Sequence, residues 1–318
     1  MPLHLRLAVR DWDYLTPLAL GDVRSPRLDL AVDRVGTPVG DLARDEIYGA
    51  AELSFSRYAA MRAAGEGGVF GIPNFVMRGF RHRCAITAEG SPLTRLDQLA
   101  GRRIGVTGWQ DSGNVWTRAA LRREGVGIED ARWFAGRLTE AHPITDRLGG
   151  FGRPGRIEAA PGERPMVELL HDGGLDAVLT PFMPDGFFEP GSGLRHLLPD
   201  YRAAEVAYAR AVGYVPGMHV LGLKASLAAE HPWLAGALSE LVDESQRVWR
   251  DKRRKYADTS PWVIEELGRA ARDLPPGWDR SGLAENEAMI AGFAEELHVQ
   301  GILPRRLSPA ELFPARPD

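Results

Sequence analysis

Asn74-Phe-Val-Met-Arg-Gly-Phe-Arg-His-Arg-Cys-Ala-Ile-Thr87 reads as an apolar, strand-like run, yet it carries Arg78, Arg81, His82 and Arg83. Cations inside such a run are costly unless something anionic meets them. A carboxylate ligand held in a cleft is the simplest partner. A second histidine, His219, sits in a similar run, Tyr214-Val-Pro-Gly-Met-His-Val-Leu-Gly-Leu223. Two distant strands that each bring a histidine to one cleft point to a clamshell protein for a small acid, with proton transfer within reach.

Outward from these two runs, strands alternate with helices. Leu3–Val9, Arg24–Val35, Ala50–Ser56, Arg103–Thr107 and Leu175–Thr180 read as strands or strand approaches. Asp41–Ile47, Ser56–Ala64, Ser91–Gly101, Val115–Glu124, Met166–Asp172 and Tyr201–Val212 read as helices, and Thr139–Glu163, rich in Gly, Pro and Arg, as a long surface excursion. Ala225–Arg254 and Ser281–Val299 read as a helical C-terminal part, with Pro232 suited to a first turn. The pattern predicts α/β architecture: two lobes joined by crossing strands near residues 82–90 and 213–222. Lobe 1 is expected over 1–85 plus 220–318, lobe 2 over 86–219, with the ligand cleft between them.

The chain has 318 residues, with 39 Lys and Arg against 43 Asp and Glu, a formal charge of −4. That balance gives no general attraction to nucleic acid or to anionic lipid. No apolar run approaches the roughly 18 residues of a membrane span. No basic segment followed by an apolar core opens the chain, so a cytoplasmic location is expected. Cys84 is the only cysteine, which excludes a disulfide framework and a Cys-rich metal site. No histidine pair has metal-ligand spacing and no Gly-rich stretch links a strand to a helix as a phosphate loop must, so neither a metal nor a nucleotide is expected.

Several segments together carry a family signature: Ala51-Glu-Leu-Ser-Phe-Ser-Arg-Tyr58, Arg78-Gly-Phe-Arg-His82, Gly105-Val-Thr-Gly-Trp-Gln110 with Val115, Trp116 and Arg118, Leu197-Leu-Pro-Asp-Tyr201, Pro216-Gly-Met-His-Val220, His231-Pro-Trp233 and Gln300-Gly-Ile-Leu-Pro-Arg-Arg-Leu-Ser308. In that order they resemble the 4,5-dihydroxyphthalate decarboxylase family nearly end to end, with a looser match at Asp11–Thr16 and a departure in the excursion after Ala141. The resemblance implies the two-lobed fold of type II periplasmic substrate-binding proteins. It also implies cofactor-independent decarboxylation of a hydroxylated aromatic dicarboxylate, and carries Arg78, Arg81, His82, Gln110 and His219 as pocket positions.

The chemistry needs an acid near neutral pH, a clamp for the retained carboxylate and acceptors for the ring hydroxyls. His82 and His219 are the candidate acids; the alternative for each is a buried histidine satisfied by the backbone. Arg78 and Arg81 are candidate carboxylate clamps, or structural ion pairs. Strand alternation puts Arg78, Phe80, His82 and Cys84 on one face and Arg81 and Arg83 on the other. Ser112 and Asn114, in the turn opening at Trp109, suit an anion at a helix start, or Ser112 is an N-cap. Trp109 offers a stacking face and Gln110 an amide. Ser54 and Ser56 offer hydroxyls or cap the following helix. Glu52 is an acceptor for a phenolic proton, or an arginine partner. Two readings compete with the decarboxylase: a non-catalytic small-carboxylate binding protein and another ring-modifying lyase on the same scaffold. A homo-oligomer is left open.

Overall fold

The structure is a computed structural model and describes residues 1–316. Its strands are β1 (Leu3–Val9), β2 (Leu28–Arg34), β3 (Ala50–Ser54), β4 (Val69–Arg78), β5 (Ala85–Ala88), β6 (Arg103–Val106), β7 (Arg132–Ala135), β8 (Ile157–Ala159), β9 (Ala177–Leu179), β10 (Leu194–His196) and β11 (Gly217–Lys224). Its helices are α1 (Thr16–Ala19), α2 (Phe55–Ala63), α3 (Ser112–Arg123), α4 (Met166–His171), α5 (Tyr201–Val212), α6 (Ala225–Glu230), α7 (Leu234–Lys255), α8 (Val263–Asp273), α9 (Leu283–Val299) and α10 (Pro309–Leu312). No helix among the described residues is long and apolar enough to cross a membrane.

The chain divides into two compact units. The first comprises Met1–Arg78, Gly213–Ala294 and the residues from Leu307 onward; the second comprises Gly79–Val212 and Glu295–Arg306. The chain thus passes between units after Arg78 and after Val212, close to the two segments expected to cross. The lobe boundaries drawn from the sequence fall a few residues beyond these passages. Glu295–Arg306, expected in the first lobe, clusters with the second unit.

The first unit is built on a sheet of order β2-β1-β3-β11-β4, in which β1 is parallel to β2 and β3 while β11 runs antiparallel to β3 and β4. Leu5, Leu7 and Val9 alternate inward from β1 and meet Ile72, Val76, Leu221 and Leu223. Leu234, Leu238, Leu241 and Val242 recur along one face of α7 and close over this core. Each such side chain contributes about 1.5–3 kcal/mol when fully buried; Leu238→Ala would open a cavity costing about 2–5 kcal/mol. On the other side, Tyr58 of α2 donates its hydroxyl to Leu312 O at 2.5 Å and accepts from Gly71 N at 3.1 Å. A Cβ at residue 71 would lie 2.4 Å from that hydroxyl, so only glycine lets β4 come this close.

The second unit carries a sheet of order β10-β5-β9-β6-β7-β8, parallel from β9 to β8, with β5 antiparallel to both β9 and β10. Its core gathers Ile86, Val178, Met166, Leu169, Leu170 and Phe187.

Three local expectations need correction. The strand expected through Thr87 breaks: β4 ends at Arg78, and His82–Cys84 form a 3-10 turn, closed by Cys84 N donating to Arg81 O at 3.0 Å, before β5 starts. The two-face alternation drawn for residues 78–84 therefore does not apply. Asp41–Ile47 forms turns and no helix, because Asp45 Oδ1 takes the Ile47 and Tyr48 amides at 2.8 Å each. Ser91–Gly101 contains only a 3-10 turn at Leu96–Leu99, where Gln98 Oε1 accepts from the Thr94 and Arg95 amides. The Gly/Pro-rich excursion is irregular as expected, except that it supplies β8 as an edge strand.

Candidate active site

In the first unit the parallel strands β1, β3 and β4 end together, at Val9, Ser54 and Arg78, beside the start of β11. Ligands of open α/β sheets bind outside such carboxyl ends. Register fixes what meets there. His219 lies opposite Ser54 on β3 and Met77 on β4, and Leu221 lies opposite Glu52. Residues two apart on a strand share a face, so Glu52, Ser54 and His219 point the same way. Glu52 and His219 are diagonal neighbours, a separation long side chains span.

They meet directly. His219 Nδ1 is 2.5 Å from Glu52 Oε1. The Glu52 side chain is fully buried and that of His219 is 14% exposed. The other carboxylate oxygen, Oε2, accepts from Arg10 N at 2.8 Å and from the Trp12 indole Nε1 at 2.8 Å. A fully buried carboxyl group is tolerated only when its oxygens are satisfied. Two N–H groups converging on Oε2 favour the ionised carboxylate, which only accepts. Nδ1 of His219 then carries the hydrogen given to Glu52, and Nε2 makes no hydrogen bond among the described residues. The sequence treated Glu52 as an acceptor for ligand or arginine; the structure turns it to the histidine.

Arg78 closes the same end of the sheet. Its path there depends on a bulge in β4: Leu221 pairs with Ile72 and His219 with Met77, so the stretch around Pro73 loops out of register. Nη2 of Arg78 donates to Arg280 O at 2.9 Å and to Asn286 Oδ1 at 2.7 Å, while Nε and Nη1 make no hydrogen bond among the described residues. Burial lowers its pKa to about 10, which leaves it cationic at neutral pH. Ser54, opposite His219, and Ser56 follow one another from the end of β3 into α2, with their hydroxyls 3.1 Å apart. Neither side chain caps α2; Ser54 occupies the N-cap position without a side-chain cap bond.

The other expected residues belong to the second unit. His82 is buried, its ring edge-on to Tyr208 at 5.2 Å. Its Nδ1 has no hydrogen-bond partner among the described residues. Burial lowers its pKa to about 4, so at neutral pH it is uncharged. Arg81 is buried against Cys84, with Nη1 3.6 Å from Sγ, and burial lowers its pKa. Gln110 is half-buried in the turn before α3. Asp111, and not Ser112, takes the N-cap position of α3, with Ser112 the first helical residue. Asn114 spends its amide within the turn, donating to Thr107 Oγ1 at 3.1 Å and Gly108 O at 2.9 Å. Trp109 offers no stacking face: it is buried, with the Arg118 guanidinium 4.1 Å from its ring centroid and Trp133 edge-on at 5.8 Å.

Sequence reading missed two residues. Trp12 lies in the segment that matches the family loosely; the signal for it is a lone carboxylate, Glu52, in an otherwise apolar strand, which demands donors. Arg118 was noted only as a motif position. It is fully buried, with Nε donating to Gln300 Oε1 at 2.7 Å and Nη2 to Trp109 O at 2.6 Å, and burial holds its pKa down to about 9. Also in the second unit, Arg137 and Arg147 line a cavity of about 330 Å³ at the carboxyl ends of β7 and β8 and, among the described residues, donate only to backbone carbonyls. Among the described residues no group of three or more His, Cys, Asp or Glu side chains could hold a metal.

No family profile matches the chain. A curated relative, the 4,5-dihydroxyphthalate decarboxylase of Comamonas testosteroni, is 31% identical over 334 aligned positions, covering 98% of this chain and 96% of the relative. A protein of the same name from Pseudomonas putida is 28% identical over 216 positions, covering 67% and 83%. Among solved structures, the periplasmic aliphatic sulphonate binding protein SsuA of Escherichia coli matches with a TM-score of 0.56 at 14% identity, covering 98% of each chain. The Candida albicans CA3427 gene product, described as having the generic periplasmic binding protein fold, matches with a TM-score of 0.55 at 13% identity, covering 98% and 94%. At those identities the solved structures establish the fold alone. The near-complete match to the Comamonas protein establishes more: on a periplasmic-binding-protein fold, this chain belongs to the 4,5-dihydroxyphthalate decarboxylase family of carboxy-lyases.

Proposed function

We propose that the protein decarboxylates a hydroxylated aromatic dicarboxylate such as 4,5-dihydroxyphthalate without a cofactor, with His219 as the proton donor. The observation that carries the reading is the buried Glu52–His219 couple, which leaves Nε2 of the imidazole as its one uncommitted nitrogen. An imidazolium held at Nδ1 by a carboxylate presents its Nε2–H as a positioned general acid.

In such a substrate each carboxylate is para to a ring hydroxyl. The hydroxyl oxygen pushes electron density to the ring carbon bearing the leaving carboxylate. Nε2–H of His219 protonates that carbon, and the new C–H bond leaves the ring cationic, its charge shared by the oxygen. The C–C bond to the carboxylate then breaks, its electron pair restores aromaticity, and CO2 departs. A dihydroxybenzoate remains, and His219 regains its proton from solvent, so each turnover consumes one proton.

Arg78 is the proposed clamp for the retained carboxylate, through its charge and a hydrogen bond from Nη1. Ser54 and Ser56 are the proposed partners of the ring hydroxyls. His82, uncharged and buried at neutral pH, is less suited to the acid role. The family relationship supports decarboxylation; the histidine mechanism rests on the couple's geometry.

The test is CO2 release from 4,5-dihydroxyphthalate by purified protein dialysed against chelator, across pH 6 to 8, beside His219→Gln. Turnover by the wild type and its loss in the variant are expected. Wild-type protein that binds the acid but leaves it unchanged, or a fully active His219→Gln, would overturn the reading.

A further inference from the structure

Trp12 stands apart from the residues expected to touch substrate. It lies just beyond the end of β1, in a turn held by its own amide donating to Arg10 O at 2.8 Å. Because β1 is parallel to β3, with Ala8 opposite Ala51, the chain leaves the sheet next to Glu52. Two donors from this one turn, the Arg10 amide and the Trp12 indole N–H, then converge on a single oxygen, Glu52 Oε2. Oε1 is left to His219 alone. The Arg10 guanidinium lies 5.7 Å from the Trp12 ring centroid and steadies the ring by a cation–π contact. The turn is held in the core by Tyr14, whose hydroxyl donates to Val76 O at 2.5 Å.

We infer that Trp12 is a positioning residue for the decarboxylation: its indole N–H fixes the rotamer and acceptor pattern of Glu52, and through Glu52 the tautomer and ring orientation of His219. This inference rests on the assignment of His219 as the proton donor. The physical case is one of sharing. A carboxylate with both oxygens free can rotate and can bond the imidazole through either of them. With Oε2 saturated by two N–H donors, only Oε1 faces the histidine, and the ring is held with Nε2 outward. Partners that orient a histidine in this way typically matter by one to two orders of magnitude in activity although they never touch substrate. Tyr14, two residues beyond Trp12, is held protonated by burial and feels the charges of Glu52, Arg78, Asp13 and Asp243.

The test is Trp12→Phe, which keeps an aromatic ring and removes the donor. The expected result is a kcat lower by about 10-fold or more with KM little changed. With the donor gone Glu52 is free to turn, so the ring-nitrogen chemical shifts of His219, followed by NMR, should change. A normal kcat together with unchanged His219 ring-nitrogen shifts would overturn the inference. A wild-type measurement covers the event that the variant does not fold: the Trp12 indole proton, bonded to Glu52, should be shifted downfield and protected from solvent exchange, and an indole proton that exchanges as freely as an exposed one would overturn the inference as well. If His219→Gln is inactive while Trp12→Phe is normal, only the positioning role fails. If His219→Gln is fully active, the reading of the site fails first.

Discussion

His219 Nδ1 lies 2.5 Å from Glu52 Oε1 although 167 residues separate the two in the chain. The contact joins β3 and β11, two inner strands of one sheet. Glu52→Gln preserves volume but sets an amide among three N–H donors, where its NH2 group has nothing to donate to. We expect kcat to fall by about 10²–10⁴-fold. Steady-state kinetics on a variant with a wild-type circular dichroism spectrum checks this; a change of only a few-fold would remove Glu52 from the mechanism.

Arg78 should act in binding. Arg78→Gln keeps a donor near Asn286 and Arg280 but loses the charge. Hydrogen bonds to charged groups are worth about 1.5–3 kcal/mol, so KM should rise on the order of 10- to 100-fold with a smaller change in kcat. An equal fall in kcat with KM constant would instead place Arg78 in the chemical step.

His82 predicts how stability depends on pH. Its pKa is lowered from 6.5 to about 4 by burial. Between those values the unfolded chain binds a proton that the folded protein refuses, so stability falls as pH drops through that window and levels off above it. The whole shift corresponds to about 3 kcal/mol. His82→Phe should flatten the dependence, since it keeps the edge contact with Tyr208 and removes the titrating group. Urea unfolding of both proteins at several pH values from 7.5 down to 4.5 measures the difference; parallel curves would show that His82 does not carry it.

Gln300 should be worth more to stability than a surface amide. It accepts from Arg118 Nε at 2.7 Å and donates to Val115 O at 3.0 Å. Gln300→Ala leaves a buried guanidinium with one partner fewer, at a cost of about 2–4 kcal/mol. A thermal or urea midpoint near wild type would mean that water or a neighbour replaces the amide.

Much of the fold could be read in advance because it is written locally. Alternation in Leu3–Val9 and the apolar runs at Arg103–Val106 and Ala177–Leu179 mark strands, and the spacing of Val115, Trp116, Ala119 and Ala120 marks the buried face of α3. The segment after Arg78 misled for a local reason too: its residues suit a strand, but the chain leaves one unit there and turns before joining the sheet of the other. Among the site residues, His219 and Arg78 stood out because polar groups in apolar strands need partners. The same rule marked Glu52, without saying which partner it had.

By itself, the sequence determined the α/β alternation, the family and the unusual polar residues within its strands, since each depends on neighbours a few positions away. Only the tertiary structure decided that Trp12, Glu52 and His219 form one chain of hydrogen bonds, that Trp109 lies beneath Arg118, and that His82 is buried without its charge. Those outcomes depend on strand register, on the bulge around Pro73 and on desolvation, which arise when distant segments pack and leave no periodic trace in the order of residues.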